Sequence, residues 1–132
     1  MTPAAPVSAD RRIAILSDVA FSYNREVLRG IRRYATAYGP WTLRRSVFDP
    51  AIAPALVAWD AAGIISSVDR MDRLRAFLSL GVPVVNISHR VPGLPVPSVL
   101  SDDRLVGRLA ADDLAGRGFR RFAYVSRAGP VY

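Results

Sequence analysis

The sequence predicts an α/β fold in which helices cover both faces of a parallel sheet, and three features lead there. Short apolar runs such as Ile13-Ala14-Ile15-Leu16 have the character of strands buried on both faces. Segments with apolar residues at helical spacing separate those runs. Turn residues, above all glycine and proline, stand at the junctions. Strands and helices alternating in this way need crossovers, which are right-handed and place helices on both sides of the sheet.

Ile13–Leu16 is the first expected strand. Asn24 is placed to cap the helix that follows, in which Val27, Leu28, Ile31, Tyr34, Ala35 and Tyr38 form one apolar stripe. Tyr34 and Tyr38, lying on that stripe, are expected in the core, and Gly39-Pro40 stops the helix. Trp41–Phe48 alternates loosely and reads as an edge strand. After Asp49-Pro50 a short helix carries Ile52, Leu56 and Trp59, with Pro54 tolerated only in its first turn. Gly63–Ser66 is the third strand. Asp69 is expected to cap a helix with Met71, Leu74, Phe77 and Leu78 inward, ended by Gly81 and Pro83. Val84–Ile87 is the fourth strand. His89–Pro97, with three prolines and a glycine, reads as loop. Ser98–Leu100 reads as a short fifth strand, Asp102 or Asp103 starts a helix through Leu114, and Phe122–Val125 reads as a sixth strand.

Length and composition narrow the function. The chain has 132 residues, a formal charge of +7, 51% hydrophobic and 22% charged residues. That is one folded domain by a prior of roughly 150 residues per domain, placed at residues 11–132 after a disordered tail, residues 1–10. All 18 basic residues are Arg. Without Lys there is no phosphate-loop or Schiff-base lysine; without Cys there is no thiol catalysis, disulfide or thiolate metal site. His89, the single histidine, excludes a multi-histidine metal site. No cofactor is expected, and no enzymatic activity. No apolar run reaches the roughly 18 residues of a membrane span, and residues 1–10 lack the pattern of a signal peptide, so a cytoplasmic protein is expected.

Parallel sheets bind ligands outside the carboxyl ends of their strands, near the reversal of strand order. That rule selects Asp18 to Arg25 after the first strand, Ser66 to Asp69 after the third, Ser88 to Arg90 after the fourth and Ser101 to Asp103 after the fifth. Hydroxyls, carboxylates, an amide, guanidinium groups and the rings of Phe21 and Tyr23 suit a polyhydroxylated ligand, whose hydroxyls need paired donors and acceptors. Each carboxylate has a structural reading beside the functional one: Asp18, Asp69 and Asp102 can each form a turn or cap a helix. The first turn has no glycine-rich loop for a dinucleotide, and no Gly-x-Ser-x-Gly elbow accompanies His89. Arg29, Arg32 and Arg33 lie off the apolar stripe and read as a solvated helix face or as a contact surface for a partner or DNA. A nucleic-acid footprint needs charge clustered on one face together with stacking aromatics.

After residues 1–10 the chain reads Arg11-Arg12-Ile13-Ala14-Ile15-Leu16 and continues with Ser22-Tyr-Asn-Arg-Glu-Val-Leu-Arg-Gly-Ile-Arg-Arg-Tyr34. Gly39-Pro-Trp, Trp59-Asp-Ala-Ala-Gly-Ile-Ile, Gly81-Val-Pro-Val-Val-Asn-Ile and Val99-Leu-Ser-Asp-Asp-Arg-Leu-Val-Gly follow in order. This ordered set resembles the sugar-sensing domain of xylose-operon regulators, the AraC-type branch whose sensor is similar to the periplasmic-binding-protein core of lactose-repressor-type regulators. The resemblance spans nearly all of residues 11–126. It implies a flavodoxin-like, three-layer amino-terminal lobe of a type I periplasmic-binding-protein-like domain. It further implies a small sugar effector, a pentose by preference, and a homodimer that meets DNA only through a carboxyl-terminal domain outside this chain.

The same resemblance places Asp102 at the acidic position facing the effector, Phe21, Tyr23, Asn24 and Arg25 in the first-strand loop, Ser67 and Asp69 at the third exit, and His89 and Arg90 at the fourth; Ser17-Asp18-Val19-Ala20 departs from the small or acidic residues common in that first loop. The chain stops at Tyr132, where the family chain crosses into its second lobe. With half of a two-lobed cleft outside it, the chain alone is expected to bind sugar at about millimolar affinity or below detection. The alternative is a non-catalytic interaction module that dimerises through its Arg29, Arg32 and Arg33 face.

Overall fold

The computed structural model describes residues 11–125 apart from Val19, Phe21 and Pro50. The expected tail and the loop position Phe21 lie outside the described residues. The chain divides into two compact units, Met1–Val99 and Leu100–Tyr132.

The first unit runs β1 (Arg11–Leu16), α1 (Ser22–Tyr38), β2 (Trp41–Ser46), α2 (Ile52–Ala58), β3 (Gly63–Ser66), α3 (Met71–Leu78) and β4 (Val84–Asn86). All pairings are parallel, in the order β2-β1-β3-β4. The α/β class and the parallel sheet are therefore as expected, and compatible with a flavodoxin-like three-layer arrangement. β1 is central, and Ile13 to Leu16 are all buried, as a strand covered on both faces must be. Gly63 stands in register with Ile13, and a Cβ there would lie 3.2 Å from Ile13 Cδ1. The missing side chain lets Ile13 lie across β3.

One sheet face holds the main core. Ala14, Leu16, Ile64 and Val84 pack with Ile52 and Leu56 of α2 and with Leu74 and Phe77 of α3. Each fully buried large side chain among them contributes about 1.5–3 kcal/mol relative to exposure. Only Leu74 and Phe77 of the four expected inward residues of α3 are buried; Met71 and Leu78 are exposed, because an eight-residue helix presents just two turns to the sheet. Gly81, at φ +67°, turns the chain out of α3, and its N–H donates to the Leu78 carbonyl at 3.1 Å.

α1 lies over the other face, and Ala35 is its one buried residue. Tyr34 and Tyr38 are not core: they are 50% and 72% exposed. Their spacing correctly assigns them to a side of the helix, but periodicity does not say how far that side is covered. They meet each other and Trp41 instead, in tilted contacts with ring centroids 4.9 Å apart for the tyrosine pair and 5.1 Å for Tyr34 and Trp41.

β2 ends at Ser46, two residues before the expected end. Phe48, freed from the strand, meets Phe77 edge-on at 5.9 Å. The expected fifth strand shrinks to one parallel bridge between Ser98 and Asn86. Pro97 explains this, since it offers its carbonyl to the Asn86 N–H at 2.9 Å but has no N–H to extend a ladder.

In the second unit, α4 (Asp103–Gly116) starts at its cap Asp102, whose Oδ1 accepts the Leu105 N–H at 2.9 Å. No residue of α4 is buried. The expected sixth strand, Phe122–Val125, does not form: residues 121–125 have no ladder among the described residues, and a strand exists only through its partner. Among the described residues, no helix is long and apolar enough to cross a membrane.

Candidate functional site at the strand exits

Strand order reverses at β1, which passes to β2 on one side and, later in the chain, borders β3 on the other. Outside the carboxyl ends of β1 and β3 the crossovers diverge, and this is where such sheets hold ligands. Ser17, directly after β1, is buried, and Ser67, directly after β3, is half-buried. The two exits are joined by a backbone bond from the Ser67 N–H to the Leu16 carbonyl, 3.1 Å.

The two hydroxyls are 3.1 Å apart, and Ser67 also donates to Asn24 Oδ1 at 3.4 Å. Asn24 is the third residue of α1, not its cap. Its amide instead reaches back to donate to the Asp18 carbonyl at 2.6 Å, which closes the loop between β1 and α1. Asp18 Oδ1 accepts the Ala20 N–H at 2.8 Å, the turn-forming reading of this carboxylate. Arg25 donates to the Ala20 carbonyl at 2.9 Å. Asp18, Asn24, Arg25 and Ser67 thus form one connected set, with Tyr23 exposed beside it on α1.

Asp69 does not cap α3. Its cap position is Arg70, in extended backbone with no side-chain cap bond, because the Asp69 carboxylate is taken by Arg73 one turn on. Arg73 Nη1 lies 2.8 and 2.7 Å from the two Asp69 oxygens. The Arg73 guanidinium also sits over the Phe48 ring, 4.0 Å from its centroid. This carboxylate is consequently held in place at the rim, with both side chains mostly covered. Next to it, Arg70 and Asp72 form an exposed pair at 3.0 and 2.8 Å. The Arg70 hydrogen bond, with its charge, holds the Asp72 carboxyl below its usual range, and Asp72 raises Arg70 in turn.

The residue that organises this end of the sheet is Asn86, which the sequence reading leaves as an ordinary strand position. It is 1% exposed. Its Oδ1 accepts the N–H groups of Val68 and Ser88, at 3.2 and 3.0 Å. Its Nδ2 donates to the Ser88 carbonyl at 2.7 Å and the Ser98 hydroxyl at 3.1 Å. One amide therefore fixes the β3 exit, the β4 exit and the segment at Ser98. An amide inside the apolar run Val84-Val85-Asn86-Ile87 was the available signal, since a buried amide must find partners.

His89 is half-buried and Arg90 exposed on the β4 exit that Asn86 anchors, and the Arg90 N–H donates to the Ser88 hydroxyl at 3.1 Å. Asp102 belongs to the second unit, where it caps α4. The connected set around Ser67 is built to exchange hydrogen bonds: hydroxyl rotors can turn donor or acceptor toward a ligand. The hydroxyls of Ser17 and Ser67 meet each other and an amide, none of which takes up a proton at neutral pH. Among the described residues, no group of three or more His, Cys, Asp or Glu side chains could hold a metal ion. No family model, curated protein or solved structure matches this chain.

Proposed function

We propose that this chain is the effector-sensing lobe of a DNA-binding transcriptional regulator and that its effector is a small sugar, a pentose by preference. The observation that carries the reading is the hydroxyl, hydroxyl and amide set of Ser17, Ser67 and Asn24 at the reversal of strand order, with the Asp69 carboxylate fixed beside it. A sugar presents donors and acceptors at alternate positions, and groups that switch between the two roles accommodate it without leaving a buried polar atom unpaired. In this reading Tyr23 supplies an aromatic surface for the sugar C–H face, and His89 and Arg90 a further polar edge. The parallel sheet and its helices are then the amino-terminal lobe of a periplasmic-binding-protein-like sensor, a reading with which the order β2-β1-β3-β4 is compatible. Binding shifts DNA affinity only through a difference in sugar affinity between two arrangements of the whole regulator.

The test is amide-resonance mapping by NMR during titration with pentoses and hexoses, which detects millimolar binding. Shifts centred on Ser17, Asn24 and Ser67, lost in Ser67→Ala, are expected. Shifts scattered over the surface, or none with any sugar, would overturn the proposal. The interaction-module alternative predicts melting that depends on protein concentration and responds to no sugar.

A further inference from the structure

The opposite end of the first unit carries a surface that the effector reading does not use. At the carboxyl end of α1 and the amino end of β2, the rings of Tyr38, Tyr34 and Trp41 form a continuous series, with successive centroids 4.9 and 5.1 Å apart. Tyr34 and Tyr38 are exposed. Beside Trp41 is an open depression that Arg32, Thr36, Pro40 and Leu43 also line. Arg11 stands in register with Trp41 on the adjoining strand, and Arg33 immediately precedes Tyr34.

Charge at this surface is not neutralised from within. Arg29, one turn earlier on α1, is paired with Glu26 at 2.7 Å. Arg11, Arg32 and Arg33 have no carboxylate partner among the described residues. The partial negative charge at the carboxyl end of α1, about half an electron, favours these guanidinium groups but falls well short of balancing them.

We infer that this α1–β2 surface binds single-stranded nucleic acid, with unpaired bases stacked on Trp41, Tyr34 and Tyr38 and phosphates on Arg11, Arg32 and Arg33. Clustered charge and stacking aromatics are the two requirements for such a footprint, and both meet here. An acidic peptide would satisfy the guanidinium groups and leave the rings unused. A duplex keeps its bases stacked and offers them no free face. A second copy placed across a two-fold axis on this surface would set arginine against arginine. The inference does not depend on the effector site, which lies at the other end of the strands.

Trp41 makes the test direct, because the chain has only two tryptophans. In Trp59→Phe, Trp41 is the sole reporter. Titration of the full chain with oligothymidylate should quench its emission, and the affinity should fall as salt rises. Tyr38→Ala should weaken binding roughly ten-fold and Tyr38→Phe should not, since the ring is what stacks. Arg32→Gln should flatten the salt dependence. Inorganic polyphosphate, the probe for charge alone, should bind more weakly and leave Trp41 emission unchanged. No quenching by oligothymidylate, equal affinity for polyphosphate or for duplex, or a dimer in light scattering that Tyr38→Ala abolishes would each overturn the inference.

Discussion

Removing the Asn86 side chain would strand the Val68 N–H, which is buried and has its partner in that amide. Each buried donor left unpaired costs about 1–3 kcal/mol, and Asn86→Ala also releases Ser88 and Ser98, so a loss of about 2–4 kcal/mol is expected in urea unfolding. A loss within error of zero would show that the four bonds are not what holds the exits together. Asp72 acts in the opposite, exposed setting. Its folded value is lowered by Arg70, so its contribution is complete above the ordinary carboxylate range and disappears as pH falls through the lowered value. Asp72→Asn should therefore lower Tm slightly at neutral pH and not at strongly acid pH, where both chains carry a neutral group. At this scale a side chain's partners are legible in the sequence only where they are local. The cap at Asp102 and the Asp69–Arg73 pair join residues three and four apart and are local, whereas the partners of Asn86 at Val68 and Ser98 are set by packing.

For whole elements, period and punctuation carried most of the information. β1 to β4 and α1 to α4 all form where apolar runs and stripes predict an element, with the end of β2 and the start of α1 displaced, because each is defined by its own backbone and one buried face. Ile15→Asp tests the central strand: a charge buried without a partner at this position should abolish cooperative unfolding, and a folded, soluble variant would contradict the burial described for β1. Asp102→Ala should cost α4 about 1 kcal/mol and Asp102→Asn only a few tenths, since asparagine caps equally well; helix content by circular dichroism distinguishes the two. Strands five and six are the two predicted elements that do not form as strands among the described residues. Their sequences have strand character, but a ladder is a property of two segments: Ser98–Leu100 keeps a single bridge to Asn86, and among the described residues Phe122–Val125 has no partner strand.

Over the whole molecule, the strand exits could be listed from the sequence because alternating elements almost dictate the topology. Which exits touch could not, since Ser17 and Ser67 are 50 residues apart in the chain. The net charge of +7 also acts at this scale. Self-repulsion opposes the compact state, so moderate sodium chloride should raise Tm, and a fall would mean that the surface ion pairs outweigh the repulsion. A last consequence follows from β2, which within the described sheet has β1 as its only ladder partner. Its outer row of N–H and C=O groups is a template on which further chains could add and grow into fibrils. Arg44 and Arg45 interrupt that row with charge in every copy, and their replacement by valine should convert a soluble chain into one that binds thioflavin on standing.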